Sequence, residues 1–400
     1  MKKYVLPLFL LLFIFISCSK DEYIEIPEAE DEINLSQGEN DGVDEVTTDN
    51  LVVDASILNL PDSPFNYANI LLPNFFLNNE LRDEDNTPNN NTTTDDGATL
   101  GRVLFYDKNL SMNNTISCAS CHIQENGFSD PNALSIGFDG ELTSRNSMGL
   151  ANARFYANGR FFWDERAATL EAQTLFPIQD LVEMGLTLPE LEAKLSQHTY
   201  YATLFTNAFG DETVTSNRVA LALSQFIRSM VSYESKFDEG LSQTQDIDDN
   251  FPNFTTSENR GKQLFMSNQT RCFDCHATNV FVGDDARNNG LDATITDSGV
   301  GGITGNNNEL GEFKVPSLRN IALTFPYMHD GRFETLEEVI EHYNSGVQNN
   351  PNLDNRLTQG NNVRRLNLSE ADKQALVDFL NTLTDNEFIT DEKYSSPFLE

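Results

Sequence analysis

Two pentapeptides of one type, Cys118-Ala119-Ser120-Cys121-His122 and Cys272-Phe273-Asp274-Cys275-His276, hold four of the five cysteines in this 400-residue chain. Cys-x-x-Cys-His is the attachment pattern of c-type haem. The two thiols add across the haem vinyl groups, and the adjacent His is placed to ligate the iron from one side. A zinc site takes four ligands and has no use for a His fixed directly after the second Cys. A thioredoxin-like redox pair would not occur twice with the same trailing His. Two such matches in a chain with only five His exclude scattered thiols. They predict two covalent haem c groups, held by Cys118, Cys121 and His122 and by Cys272, Cys275 and His276.

Only Cys18 remains, so no pair is left for a structural disulfide. Covalent haem attachment takes place outside the cytoplasm, and the N-terminus agrees. Lys2 and Lys3 precede an apolar run over residues 4–16, too short for a stable membrane span, which reads as a signal peptide over 1–17. Phe15-Ile16-Ser17-Cys18 resembles a relaxed bacterial lipobox, in which Cys18 becomes the lipidated first residue. The expected location is the cell envelope, on the periplasmic side or at the surface, with the membrane reached by that lipid alone. Residues 18–62 are rich in carboxylates and lack a periodic apolar pattern, which predicts a disordered acidic tether. Asp plus Glu number 62 against 26 Lys plus Arg, a net charge of −36. So acidic a surface excludes nucleic acid as a partner. It suits a basic electron-donor protein, although a solvated acidic face is the plainer explanation.

An internal repeat must position the two motifs. Gly101-Arg102-Val103-Leu104-Phe105 precedes the first, and Gly261-Lys262-Gln263-Leu264-Phe265 precedes the second. Each reads as the end of a helix whose apolar residues pack on a haem. The expected fold is mainly α, with two tandem cytochrome-c-like helical domains over 63–240 and 254–390 and few strands. Ser216 or Asn217 would cap a helix running to about Glu239, with Val219, Leu223, Phe226, Ile227 and Met230 on its apolar face. A last helix starts near Ser369 and buries Leu376, Phe379, Leu380 and Leu383. The Asn- and Asp-rich stretches 78–96 and 243–253 and the Gly-rich stretch 284–308 read as loops.

Several segments in order carry a family resemblance over residues 65–384: LGRVLFYDKNLS at 100–111, ISCASCH at 116–122, FFWDERAATLEAQ at 161–173 and KVPSLRNIALTFPYMHDG at 314–331. The chain resembles the bacterial di-haem cytochrome c peroxidases and their relative in methylamine utilisation, MauG. The resemblance implies reduction of hydrogen peroxide at the N-terminal haem, with electrons delivered through the C-terminal haem from a small cytochrome or other redox protein. It implies Gln173 and Glu183 as the distal catalytic pair and Trp163 as a relay between the haems. Taken alone, Glu183 would be a surface carboxylate and Trp163 a core aromatic. Many of these peroxidases cap the first haem with a His in a Ser-Ile-Gly-His string. Here the string is Ser135-Ile136-Gly137-Phe138, so the first iron is expected to be open to peroxide, with His198 the remaining candidate for a substitute ligand. A calcium ion on Asn146 and the carbonyls of Thr324 and Pro326 is implied by the resemblance alone.

The second haem has three nearby candidates for its distal face: Met328, His342 and Tyr343. Thr335-Leu336-Glu337-Glu338 has the form of a capping box. From that start Leu336, Val339, Ile340 and Tyr343 share one helix face, and His342 points about 100° away from Tyr343. The resemblance puts Tyr343 at the position where peroxidases carry Met and MauG carries Tyr. A core tyrosine fits the same periodicity. Three functions stay open: a cytochrome c peroxidase, a MauG-like oxidase that uses peroxide on a partner protein or organic substrate, and a non-enzymatic electron carrier. Monomer and homodimer also stay open.

Overall fold

Two crossed helix pairs underlie the repeat. The computed structural model describes residues 56–399; the expected signal segment, Cys18 and most of the expected tether lie outside them. In the first pair, helix Asp95–Tyr106, whose N-cap Thr94 accepts from the Gly97 N–H, packs across helix Ser216–Ser229. In the second, helix Thr256–Phe265, begun by a Thr255–Glu258 capping box, packs across helix Glu370–Asn381. The repeated glycines set both crossings. A Cβ on Gly101 would run into the Ala222 carbonyl, and one on Gly261 into the Ala375 carbonyl. The glycine of each repeat therefore faces its partner helix, and Leu104, Phe105, Leu264 and Phe265 are buried beside it.

Each pair has its own core. Leu104, Phe105, Phe128, Leu223 and Phe226 build the first, with Cys118 packed against it. Phe265, Phe281, Leu376, Phe379 and Leu380 build the second, with Cys272 packed against it. The two cores belong to one compact unit. The only strands among the described residues are the antiparallel pair Thr358–Gln359 and Asn362–Val363. The mainly helical expectation holds.

The middle helix is shorter than its periodicity predicts. Its apolar face is buried as expected, Met230 included, but its N-cap is Thr215 and it ends at Ser229. The reason is tertiary. Asp385 Oδ2 accepts from the backbone N–H groups of Tyr233 (2.9 Å) and Glu234 (3.0 Å) and from the Ser232 hydroxyl (3.0 Å). Ser235 and Asp238 then form a capping box for a new helix, Lys236–Thr244. Phe237 and Leu241 of that helix lie in the second core, and residue 240 falls inside the helix. Arg319, fully buried, clamps the helix with a bidentate bond to Asp238 at 2.5 and 2.8 Å. Removing one partner of so buried a pair costs about 3–5 kcal/mol.

Three expected loops are more ordered than their composition suggests. Within 78–96 lie helix Asn79–Asp83 and the buried Asn91, which donates to Glu171 at 2.8 Å and accepts from Gln225 at 2.9 Å. Phe251 is buried within 243–253, and 284–308 contains helix Val300–Thr304. The C-terminal tail crosses back to the first core: Phe388 and Tyr394 join it, and the Tyr394 hydroxyl donates to the Ser229 carbonyl at 2.5 Å. Leu58, assigned by composition to the tether, is buried and bridged to Phe398. The helix expected near Ser369 runs Glu370–Asn381 with Ser369 as its N-cap and buries Leu376, Phe379 and Leu380; Leu383, also buried, lies two residues past its end, and a short helix, Asn386–Thr390, follows.

Candidate active site: two haem-attachment centres

After each Cys-x-x-Cys-His the chain closes a similar short loop, one residue longer after the first motif. Ile123 bridges to Ser129 and Ala277 to Val282. Inside each loop a phenylalanine takes the left-handed conformation, Phe128 at φ 61° and Phe281 at φ 52°. Non-glycine residues seldom adopt that region, and those that do merit a functional explanation. Here the carbonyls of these residues face the histidines. His122 Nδ1 donates to the Phe128 carbonyl at 2.9 Å, and His276 Nδ1 to the Phe281 carbonyl at 3.3 Å. That bond fixes the tautomer and leaves Nε2 for a metal, the usual support of a ligating histidine. Burial pushes both imidazoles down, His276 to about 4, so each is neutral and able to bind iron. The sequence reading missed both phenylalanines, which lie six residues after His122 and five after His276 and so do not align without a gap.

The four motif cysteines are free. Burial pushes Cys118 up to about 12 and Cys121, Cys272 and Cys275 to about 11. The donor set fits covalently held haem. Beside the second motif lies a cavity of about 220 Å³, lined by Cys272, Cys275 and His276 and by the apolar Leu336, Val339 and Ile340. Arg287, Arg356 and Arg364 also line it, and guanidinium groups match the carboxylate geometry of haem propionates. We expect two haems per chain by pyridine haemochrome assay and by intact mass. A single haem in fully matured protein would remove the two-centre arrangement.

Two of the three distal candidates line the same cavity. Tyr343 and Met328 line it together with Leu336, Val339 and Ile340; His342 does not. The Thr335–Glu338 capping box starts helix Leu336–Glu341, which continues as a wider π turn over His342–Gly346. Such turns are frequent at functional sites. His342 Nε2 donates to the Asn289 carbonyl at 3.1 Å, and the Asn289 side-chain amide donates to Met328 Sδ at 3.4 Å. Burial pushes the Tyr343 phenol up to about 12, against a hydrogen bond with Asn289. Asn289 thus touches all three candidates, and no sequence motif pointed to it.

Around the first motif, Glu183 follows helix Leu170–Gln179, which carries Gln173. Phe138 N–H donates to the Glu183 carbonyl at 3.0 Å, so the residue in the place of the distal His pairs with the Glu183 backbone. Burial, then the neighbouring Asp180, push the Glu183 carboxyl up to about 7, with Arg166 pulling the other way. Its charge is felt at both Cys118 and Cys121. Arg166 lies 3.7 Å above the Phe162 ring and bonds Asp164 at 3.0 Å. The next residue, Trp163, faces the other centre: it lines the second cavity, and its Nε1 donates to the Asn146 carbonyl at 2.8 Å. His198 is an N-cap whose ring packs against Tyr200 at 5.3 Å.

Asn146, Thr324 and Pro326 share a wall of the second cavity. Among the described residues no three His, Cys, Asp or Glu side chains gather as a metal cage, so a calcium ion there would depend on amide and carbonyl oxygens. No helix among the described residues is long and apolar enough to cross a membrane.

The family model described as di-haem cytochrome c peroxidase matches residues 95–246. The methylamine utilization protein MauG of Methylorubrum extorquens is 34% identical over 74% of this chain and 80% of its own length. The cytochrome c551 peroxidase of Nitrosomonas europaea is 34% identical over 62% of this chain and 72% of its own. Among solved structures, a MauG-like protein associated with microbial copper homeostasis superposes with a TM-score of 0.71 at 32% identity, covering 82% of this chain and 99% of that one. The chain belongs to the di-haem cytochrome c peroxidase and MauG family. It is a peroxide-acting oxidoreductase, which sets aside the pure electron-carrier reading.

Proposed function

We propose that the first centre cleaves hydrogen peroxide with Glu183 as acid and base and Gln173 beside it, and that Trp163 relays electrons from the second centre. The observation that carries this reading is the position of Glu183: its backbone pairs with Phe138, its charge reaches Cys118 and Cys121, and burial raises its carboxyl to about 7. Bound haem supplies the iron and the redox couple. The chain's own residues do the rest. Glu183 takes a proton from the incoming peroxide and returns one to the departing oxygen, for which a group titrating near the working pH is best suited. Trp163, anchored through Nε1, offers an aromatic path from the second cavity. Steady-state peroxide consumption with reduced cytochrome c tests the reading, and failure to turn over with any small redox donor would overturn it.

One observation favours the MauG-like alternative: Tyr343 lies on the wall of the second cavity. A phenol ligand would favour oxidised iron and the use of peroxide on a partner protein or organic substrate. Calcium on Asn146, Thr324 and Pro326, and anchoring at the cell envelope through a lipid on Cys18, complete the proposal. The first rests on the shared cavity wall and the second on the N-terminal sequence.

Phe138 supplies a further test. With no imidazole at this position, the oxidised enzyme should bind cyanide or peroxide without prior reduction and show a high-spin ferric signal at rest. Phe138→His should suppress activity of the fully oxidised form. Two low-spin haems and a need for one-electron reduction would show that another residue caps the first iron.

A further inference from the structure

Tyr156 is a buried tyrosine for which the reaction above has no task. It is 1% exposed, and its hydroxyl donates to Glu165 Oε1. The other carboxylate oxygen of Glu165 accepts from Asn158 Nδ2 at 3.1 Å. Lys314 Nζ lies over the Tyr156 ring, buried and with no hydrogen-bond partner. Lys314 connects this group to the second centre. Its backbone N–H donates to the Trp163 carbonyl at 2.8 Å, and both residues line the cavity beside Cys272, Cys275 and His276. Tyr156 also packs in a small cluster with Val280 and Val282. Those two valines flank Phe281, the acceptor of His276 Nδ1.

A phenol, a carboxylate and an amine in one buried pocket are costly to desolvate. Phe, Gln and Leu would pack the same space at less cost, so packing alone does not account for them. Their arrangement has a specific chemical use. A tyrosine gives up an electron readily only if its proton can leave at the same time, and a hydrogen-bonded carboxylate is the acceptor for that proton. Burial pushes the Glu165 carboxyl up, which strengthens it as a base; the Tyr156 hydrogen bond and Lys314 pull the other way.

We propose that Tyr156 is a redox-active residue that donates one electron to the oxidised second centre by way of Trp163 and its phenolic proton to Glu165. The proposal rests on the peroxidase reading, because reduction of peroxide to water leaves the protein two electrons short until the donor refills it. In the step, the Tyr156 O–H bond breaks and an O–H bond forms on Glu165. One electron passes to the oxidised centre, which is reduced by one, and a neutral tyrosyl radical remains. An electron from the donor and the proton held on Glu165 restore the phenol. When donor is scarce, the oxidising equivalent is held on Tyr156 and not spent on haem or on other side chains.

The test is freeze-quenched EPR of the two-haem enzyme mixed with stoichiometric hydrogen peroxide and no donor. The expected result is a tyrosyl signal that narrows when ring-deuterated tyrosine is incorporated and disappears in Tyr156→Phe. Glu165→Gln keeps the phenol but removes the base and should lower the radical yield about tenfold or more. Haem content measured on each variant separates loss of the radical from loss of cofactor. A radical that does not narrow on deuteration, or that persists unchanged in Tyr156→Phe or in Glu165→Gln, overturns the assignment. Wild-type peroxide consumption with reduced cytochrome c is measured alongside. If turnover is intact and the radical lies elsewhere, only the Tyr156 assignment fails; if the wild type does not turn over, the peroxidase reading fails and this inference falls with it.

Discussion

Glu183→Gln is expected to slow peroxide cleavage by ~10²–10⁴, the range for loss of general acid–base help, or about 3–5 kcal/mol of barrier. The substitution preserves shape and removes the proton. Haem content and resting spectra should therefore stay close to wild type, because Glu183 is not one of the attachment residues. The pH dependence supplies a second readout. Burial and Asp180 raise the carboxyl to about 7, and only its ionised form can take a proton from peroxide. kcat/KM should therefore rise with pH through about 7 and then level off, and the Gln variant should lack that limb. Unchanged turnover under conditions where cleavage limits the rate would return Glu183 to the status of an ordinary carboxylate.

The parts of this molecule that were legible in sequence are those governed by short covalent spacing or by local helix rules. Cys-x-x-Cys-His fixes three residues within one turn, so both attachment centres could be read directly. The Thr335–Glu338 box and the face Leu336, Val339, Ile340 and Tyr343 also depend only on neighbours, and the structure places that face on the cavity wall. What could not be read depends on contacts across the chain. The break after Ser229 comes from Asp385, more than 150 residues away. Asn91 looked like loop composition because its partners, Glu171 and Gln225, come from two later helices. Phe128 and Phe281 act through backbone carbonyls and left-handed φ values, which side-chain identity does not announce. Asn289 lay in a Gly- and Asn-rich stretch read as a plain loop, yet its carbonyl and amide sort His342 from Met328 and Tyr343.

Tyr343 is expected to set the character of the second haem. Two facts support its phenol as the group that would hold the iron together with His276: the face it shares with Leu336, Val339 and Ile340, and the cavity that all four line with His276. Met328 lines the same cavity and its sulfur accepts from the Asn289 amide, so it is the competitor that the variants below must separate from Tyr343. His342 is committed to the Asn289 carbonyl. In the metal-free chain, burial holds the phenol protonated; a ferric ion would displace that proton, as metals do for buried ligands. The holoenzyme should then show a six-coordinate His/Tyr haem with no methionine–iron charge-transfer band. A hard, electron-donating oxygen ligand favours oxidised iron. Tyr343→Met should therefore raise the potential of this haem by on the order of a hundred millivolts, well inside the ~0.8 V that axial ligands span. The same variant should shift the enzyme towards half-reduced peroxidase chemistry. Tyr343→Phe should open or religate the iron and weaken storage of the second oxidising equivalent after peroxide has reacted. Met328→Leu, which removes the competing sulfur from the same wall, should leave spectrum and potential in place. The opposite pattern, with Tyr343→Phe silent and Met328→Leu altering both, would make Met328 the ligand and put this chain with the ordinary di-haem peroxidases.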